Sequence, residues 1–243
     1  MSVRLYVDLP LQAGLVTDLP PAAARHVQVR RLQPGHAVNL FNGQGGEWSA
    51  TVQQMSRSSV QVRVERFVAG DRELCQPVTV AVGMPANDRM DLLVEKATEL
   101  GVQAIVPLQC ERSVLRLSGE RAQRKREHWQ AIAAAAAEQC GRTRVPAIAA
   151  VRTLAQFVAE TTTLARGDVQ RVLLSPLPDT PPLRAVAAAH GGLLTLSGPE
   201  GGLSADEEAA ALAHGFVRAS LGPRVLRAET APLAVLAWIG LNE

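Results

Sequence analysis

Two loops rich in glycine and proline, each set between a short apolar strand and a helix start, constrain this chain more than any other feature. The first follows Leu193-Leu194-Thr195-Leu196-Ser197 and reads Gly198-Pro199-Glu200-Gly201-Gly202-Leu203, with Ser204-Ala205-Asp206-Glu207 opening the next segment. The second reads Leu221-Gly222-Pro223-Arg224-Val225-Leu226-Arg227-Ala228-Glu229-Thr230-Ala231 and leads into an apolar run ending at Leu241. Strand, open loop and helix form the unit of a parallel α/β sheet, whose strand ends offer backbone N–H groups to a ligand. Two such units in close succession predict a binding site.

The chain upstream supports that class. Val78 to Val82 reads as a β-branched strand. Arg89 to Leu100 has helical spacing (Met90, Leu93, Val94, Ala97) stopped by Gly101, and Ala104 to Leu108 is the next strand. Arg121 to Gln139 predicts a long helix, alanine-rich after Trp129 and ended by Gly141; its alanine run 131–137 reads as packing. Val172 to Leu174, Leu193 to Ser197 and Phe216 to Ala219 complete a parallel sheet. From Val3 to about Val68 the segments are shorter and β-like, and Asn42-Gly43 between two alternating runs predicts a hairpin. With the polar tract Val68-Ala69-Gly70-Asp71-Arg72-Glu73 as linker, the expected domains are 1–72, a small β unit, and 73–243, an α/β unit.

Charge adds one asymmetry. The 243 residues carry a formal net charge of +2, yet residues 1–72 hold eight arginines against five acidic residues, a net of +3 that leaves −1 for the remainder. That excess fits a modest electrostatic foothold for nucleic acid. Arg25-His26-Val27-Gln28-Val29-Arg30-Arg31 is its densest cluster, and strand alternation would turn His26, Gln28 and Arg30 outward. A solvated face accounts for the cluster almost as well. Cys75, Cys110 and Cys140 form no CxxC pair, so no zinc site or disulfide is expected and the thiols read as reduced. No run approaches the about 20 apolar residues that span a bilayer, and Met1-Ser2-Val3-Arg4 has no apolar signal core, so a cytoplasmic protein without a membrane partner is expected.

Within the first loop, Ser204 and Glu207 form a capping box, which a tight turn into a helix uses without any ligand. Three glycines exceed what one turn needs, and the surplus leaves backbone N–H groups open to close approach. No Gly-Lys-Ser/Thr follows, which excludes a Walker loop, and the spacing is not Gly-x-Gly-x-x-Gly. In the second loop, Arg224 and Arg227 could bind phosphate or polarise a carbonyl, with Glu229 orienting one of them; an arginine–glutamate cap on the last helix is the plainer account. His190 and His214, each before a glycine, read as C-cap histidines.

These paired motifs closely resemble the bacterial 16S rRNA (uracil-N3) methyltransferases of the SPOUT superfamily. Lys96-Ala97-Thr98-Glu99-Leu100-Gly101-Val102, Glu111-Arg112-Ser113 and Glu138-Gln139-Cys140-Gly141-Arg142 match too, as do Arg4-Leu5-Tyr6-Val7 and His26 to Leu32 of that family's PUA-like RNA-binding domain. The resemblance implies a PUA-like β-barrel followed by an α/β domain with a deep C-terminal trefoil knot, in a homodimer whose interface takes in the run Ala231 to Leu241. It implies S-adenosylmethionine held by Leu196, Ser197, Gly198, Pro199, Glu200, Gly201, Gly202, Leu221, Gly222, Val225 and Leu226. The implied reaction methylates N3 of uridine 1498 in the 16S rRNA of the 30S subunit, without a metal. Arg224 or Arg227 would stabilise the uracil anion, and Glu200, or alternatively Glu229, would take its proton. Arg4, Arg25, His26, Arg30, Arg31 and Arg142 would contact RNA. A ribose methyltransferase of the same superfamily, or an RNA-binding assembly factor with an inactive pocket, are the competing expectations.

Overall fold

From Val3 to Val68 the chain forms β1 (Val3–Tyr6), β2 (Val16–Asp18), α1 (Pro21–Val29), β3 (Ala37–Phe41), β4 (Glu47–Met55) and β5 (Val60–Val68). The coordinates, a computed structural model, describe residues 3–86, 88–164, 168–187 and 191–242, excluding the side chains of 162–164, so the expectation for His190 lies outside the described residues. The strands make one sheet in the order β1-β3-β4-β5-β2, in which only β1 and β3 run parallel. The hairpin at Asn42-Gly43 joins β3 to β4, pairing Leu40 with Trp48. Leu5, Val38, Leu40, Val52, Val60 and Val62, all at most 1% exposed, form the core beneath it.

One expectation fails in this unit. Residues 25–31 are not a strand: α1 runs through 25–29, burying Ala23, Ala24 and Val27 and leaving Val29 71% exposed, and a turn follows at 30–31. The physical reason lies just upstream. Pro21 fits the first helical position, and Ala22-Ala23-Ala24 has the highest helix propensity. The apolar residues 23, 24 and 27 then share a face at helical spacing.

The same compact unit takes in Ala134–Val145, so it is not contiguous in sequence. Arg4 explains why. Its guanidinium pairs with Glu47 at 2.9 Å, donates to the carbonyls of Ala137, Glu138 and Arg142 at 3.0–3.2 Å, and lies over the Phe41 ring. A cation bonding the last carbonyls of a helix satisfies groups that have no partner within the helix. Glu138 answers from the other side, accepting the Tyr6 N–H at 2.7 Å and lying 2.9 Å from His26 Nδ1.

The second unit holds Glu73–Ala133 and Pro146–Glu243. Its elements are β6 (Val78–Gly83), α2 (Arg89–Glu99), β7 (Ala104–Gln109), α3 (Gly119–Cys140, whose last turns lie in the first unit), β8 (Ala147–Ile148), β9 (Arg152–Thr153) and α4 (Leu154–Leu164). There follow β10 (Val169–Leu174), α5 (Leu183–Val186), β11 (Gly192–Ser197), α6 (Ala205–Ala213), β12 (Val217–Ala219) and α7 (Thr230–Gly240). The sheet is parallel throughout, ordered β12-β10-β11-β6-β7-β8 with β9 also on β7. Its central strands β6 and β11 are almost wholly buried, as a sheet covered on both faces requires. The two glycine loops leave the carboxyl ends of β11 and β12. Among the described residues, no helix is long and apolar enough to cross a membrane.

Candidate active site

Close approach of backbone shapes the first loop. A Cβ on Gly198 would stand 2.8 Å from the backbone of Gly202 and Leu203, so only glycine lets the loop fold back on itself there. The Gly202 N–H closes the turn on the Pro199 carbonyl at 2.8 Å. Ser204 then caps α6: its side chain accepts from the Glu207 N–H, and the Glu207 carboxylate accepts from the Ser204 N–H.

Two residues of the Glu111-Arg112-Ser113 segment brace this turn. Arg112 Nη1 donates to the carbonyls of both Gly201 and Leu203 at 3.1 Å, and the Glu111 N–H donates to the Glu207 carboxylate at 2.8 Å. Ser113 Oγ accepts from the N–H of Cys110, whose thiol is pushed up to about 12 by burial, with the negative charge of Glu207 adding to the effect. In the other matching segment, Lys96 pairs with Glu95 and Glu99, which hold its ammonium above the ordinary lysine range.

The second loop leaves β12 through Gly222, whose φ of +109° disfavours any side chain. The N–H groups of Thr230 and Ala231 both reach back to the Arg227 carbonyl as α7 begins. Between the loops lies a cleft of about 440 Å³. Ser197, Gly198, Pro199, Glu200 and Gly202 line it from the first loop, and Leu221, Gly222, Val225 and Leu226 from the second. Leu196, Gly201 and Glu229 lie outside that lining: Leu196 is fully buried in the sheet core, Gly201 backs onto Arg112, and Glu229 is 7% exposed, next in sequence to Ala228, which does line it.

The acidic and basic candidates separate. Arg224 and Arg227 line the cleft, are exposed, and pair with no carboxylate among the described residues. The expected partnership of Glu229 with one of them does not form, because Glu229 faces Arg89 instead, its Oε1 lying 4.0 Å from Arg89 Nε. Glu200 Oε1 accepts from the Ala86 N–H at 2.9 Å and from Arg89 Nη1 at 3.2 Å. Among the described residues, two buried side-chain polar atoms have no hydrogen-bond partner: Ser197 Oγ and Glu229 Oε2. Both stand at the loops that form the cleft, where each is available to a ligand.

Sequence reasoning missed Arg89 and the end of β10, where Leu173 to Leu177 line the cleft. The second had a signal, Ser175-Pro176 directly after an apolar strand. Arg89 had only a faint one, a cation at the first position of a helix, where the macrodipole disfavours it.

The residues expected to contact RNA divide as well. Arg25, Arg30 and Arg31 are exposed on and after α1, and His26 is half-buried against Glu138. Arg142 is 3% exposed and Arg4 is occupied as described above, so both are withdrawn from that face by the internal bonding of the fold.

A parallel sheet with a glycine-walled cleft across its carboxyl edge defines a nucleotide-type ligand site, and residues 72–240 match the model of the RNA methyltransferase domain. Residues 19–65 match the RNA methyltransferase PUA domain. The chain is 33% identical to ribosomal RNA small subunit methyltransferase E of Bacillus subtilis, covering 88% of this chain and 84% of that one. With the protein of that name from Synechocystis it shares 36% identity, over 98% and 77% of the two chains. The chain belongs to this ribosomal RNA small subunit methyltransferase E family. Two solved structures agree in fold, both reported with bound S-adenosylmethionine. A methyltransferase E from Neisseria gonorrhoeae superposes with a TM-score of 0.91 at 31% identity, covering all of this chain and 98% of that one. A Legionella pneumophila methyltransferase gives 0.90 at 32%, with the same coverage.

Proposed function

We propose that this chain is a cytoplasmic enzyme that methylates N3 of a uridine in small-subunit ribosomal RNA, uridine 1498 of the 30S particle, from S-adenosylmethionine. The observation that carries the reading is the cleft between the two loops, with an unpartnered polar atom at each loop and two unpaired arginines on its wall. Its volume of about 440 Å³ falls within the range of small-molecule sites. The donor set fits the cofactor: glycine-opened backbone N–H and C=O groups suit a neutral purine, and Ser197 Oγ is free to bond. Ser197, Gly198, Gly202, Leu221, Gly222 and Leu226 would hold it.

When bound, the cofactor supplies an electrophilic methyl group on a sulfonium. The chain must do the rest. As the N3–H bond breaks, Glu229 Oε2 receives the proton and the nitrogen lone pair takes the methyl. Glu229 is preferred to Glu200 because its Oε2 is buried without a hydrogen-bond partner, whereas Glu200 already accepts two hydrogen bonds at Oε1, from Ala86 and Arg89. It stands between Ala228 and Ala231, which line the cleft. Arg224 and Arg227 stabilise the charge that develops on the uracil carbonyl oxygens. N3 lies on the pairing edge, so the base is reached only when unpaired or flipped out.

Arg25, Arg30 and Arg31 supply the RNA foothold on the first unit. A second copy of the chain covers the exposed Val225 and Leu241 in a homodimer. The C-terminal segment forms the trefoil knot of the superfamily. In keeping with threading, the chain leaves the sheet edge at β12 and packs α7 against central β6 and β11.

The test is transfer of labelled methyl to 30S subunits lacking the modification, followed by nucleoside analysis. The expected product is 3-methyluridine. A ribose-methylated nucleoside, or cofactor binding with no transfer to small-subunit RNA, overturns the reading.

A further inference from the structure

Among the described residues, Arg89 is the one side chain that meets a carboxylate from each of the two loops. It stands at the first position of α2, a place where a cation opposes the helix macrodipole and needs compensation. The compensation comes from outside the helix. Nη1 donates to Glu200 in the first loop at 3.2 Å, and Nε lies 4.0 Å from Glu229 Oε1 at the end of the second. The two acids are separated by 29 residues of chain and belong to loops that leave different strands, β11 and β12. Glu200 is also fixed by the Ala86 N–H, just upstream of α2. The guanidinium itself is a wall of the cleft.

We infer that Arg89 is a positioning residue for methyl transfer: its planar fork ties the two loops together and holds Glu229 by Oε1, leaving Oε2 for the substrate. This rests on the methyltransferase reading above. The chemistry favours arginine over lysine, because a guanidinium can meet two carboxylates at once from fixed directions, whereas an ammonium is a point charge. Loss of the tie frees the loops to separate and Glu229 to turn, costing both ligand affinity and the reactive geometry.

The experiment measures S-adenosylhomocysteine binding by calorimetry, thermal midpoint, and turnover on unmodified 30S subunits for the full chain. The variants are Arg89→Ala, Arg89→Lys, Glu229→Gln and the Arg89→Ala/Glu229→Gln pair. The alanine variant is expected to bind about tenfold more weakly and to turn over about a hundredfold more slowly at saturating cofactor. Its thermal midpoint should stay within about 2 °C of wild type, since a part-exposed arginine contributes little to the core. Lysine should restore affinity to within about threefold but only part of the rate. Because Arg89 acts through Glu229, the double variant should be no more than about threefold slower than Glu229→Gln alone. Wild-type affinity and turnover in Arg89→Ala, or rate losses that multiply in the double variant, overturn the inference. Failure of the methyltransferase reading looks different: the unmutated chain would then bind no S-adenosylhomocysteine.

Discussion

Arg112 Nη1 donates to the carbonyl of Gly201 at 3.1 Å, and through the same nitrogen to Leu203, so one side chain spans the last turn of the first loop. Charge-assisted bonds of this kind contribute about 1.5–3 kcal/mol in favourable settings, less where solvent reaches them as here. Arg112→Ala should weaken cofactor affinity about fivefold to tenfold with little change in stability. Calorimetry against thermal melting checks this, and an equal affinity in the variant contradicts it.

Ser197 gives the opposite signature. Its buried hydroxyl has no partner in the protein alone, so removing it relieves a desolvated group of the kind that costs about 1–3 kcal/mol. Ser197→Ala should leave the free protein as stable or slightly more stable, while cofactor binding weakens about fivefold or more as the bond to the ligand is lost. A fall in both quantities would mark the hydroxyl as structural.

Cys110 sets an alkaline limit on stability. Its thiol pKa stands at about 12 in the folded chain, above the ordinary value of 9.0. The folded state therefore keeps a proton that the unfolded state releases. The stability from this group is complete below pH 9.0 and falls by about 1.4 kcal/mol per pH unit as pH rises toward about 12. Tyr6, raised by burial and by Asp8, adds a fall of the same sign at higher pH. Urea melts from pH 8 to 11 should show the slope, and Cys110→Ala should remove its first part. At pH 8, exposed Cys75 should react with a thiol reagent while Cys110 does not.

Arg4 is expected to matter for folding and not for RNA affinity. Arg4→Ala removes an ion pair, three bonds to carbonyls and a ring contact, and should cost about 2–3 kcal/mol in denaturant unfolding. Arg25→Ala, on the exposed face of α1, should instead lower RNA affinity at low salt and leave stability within about 0.5 kcal/mol. If the two variants exchange these phenotypes, the division of the basic residues is wrong.

The parts of this molecule that follow from local pattern were legible in the sequence. Gly101 and Gly141 end their helices with φ of +92° and +91°, Asn42-Gly43 turns its hairpin, and Ser204 with Glu207 makes the capping box. The two loops and the cleft between them follow the same logic of strand, glycine and helix. What escaped depends on pairing across the chain. Glu138 and His26 lie 112 positions apart, and Arg89 and Glu200 lie 111 apart, with no periodicity to join them. Helix α1 escaped for another reason: Val27 and Val29 suggested alternation, but alanine propensity and a three-residue apolar face outweighed it.

The bond between Glu138 and Tyr6 also bears on the order of events during synthesis. The N-terminal sheet emerges first, but the carboxylate and carbonyls that receive Tyr6, His26 and Arg4 belong to residues 137–142. On a ribosome the first unit therefore waits, incompletely bonded, while much of the next unit's first half is made. A fragment cut at Arg72 would carry the same vacancy permanently. The shortest polypeptide able to close the N-terminal unit is one that has already been extended past Arg142.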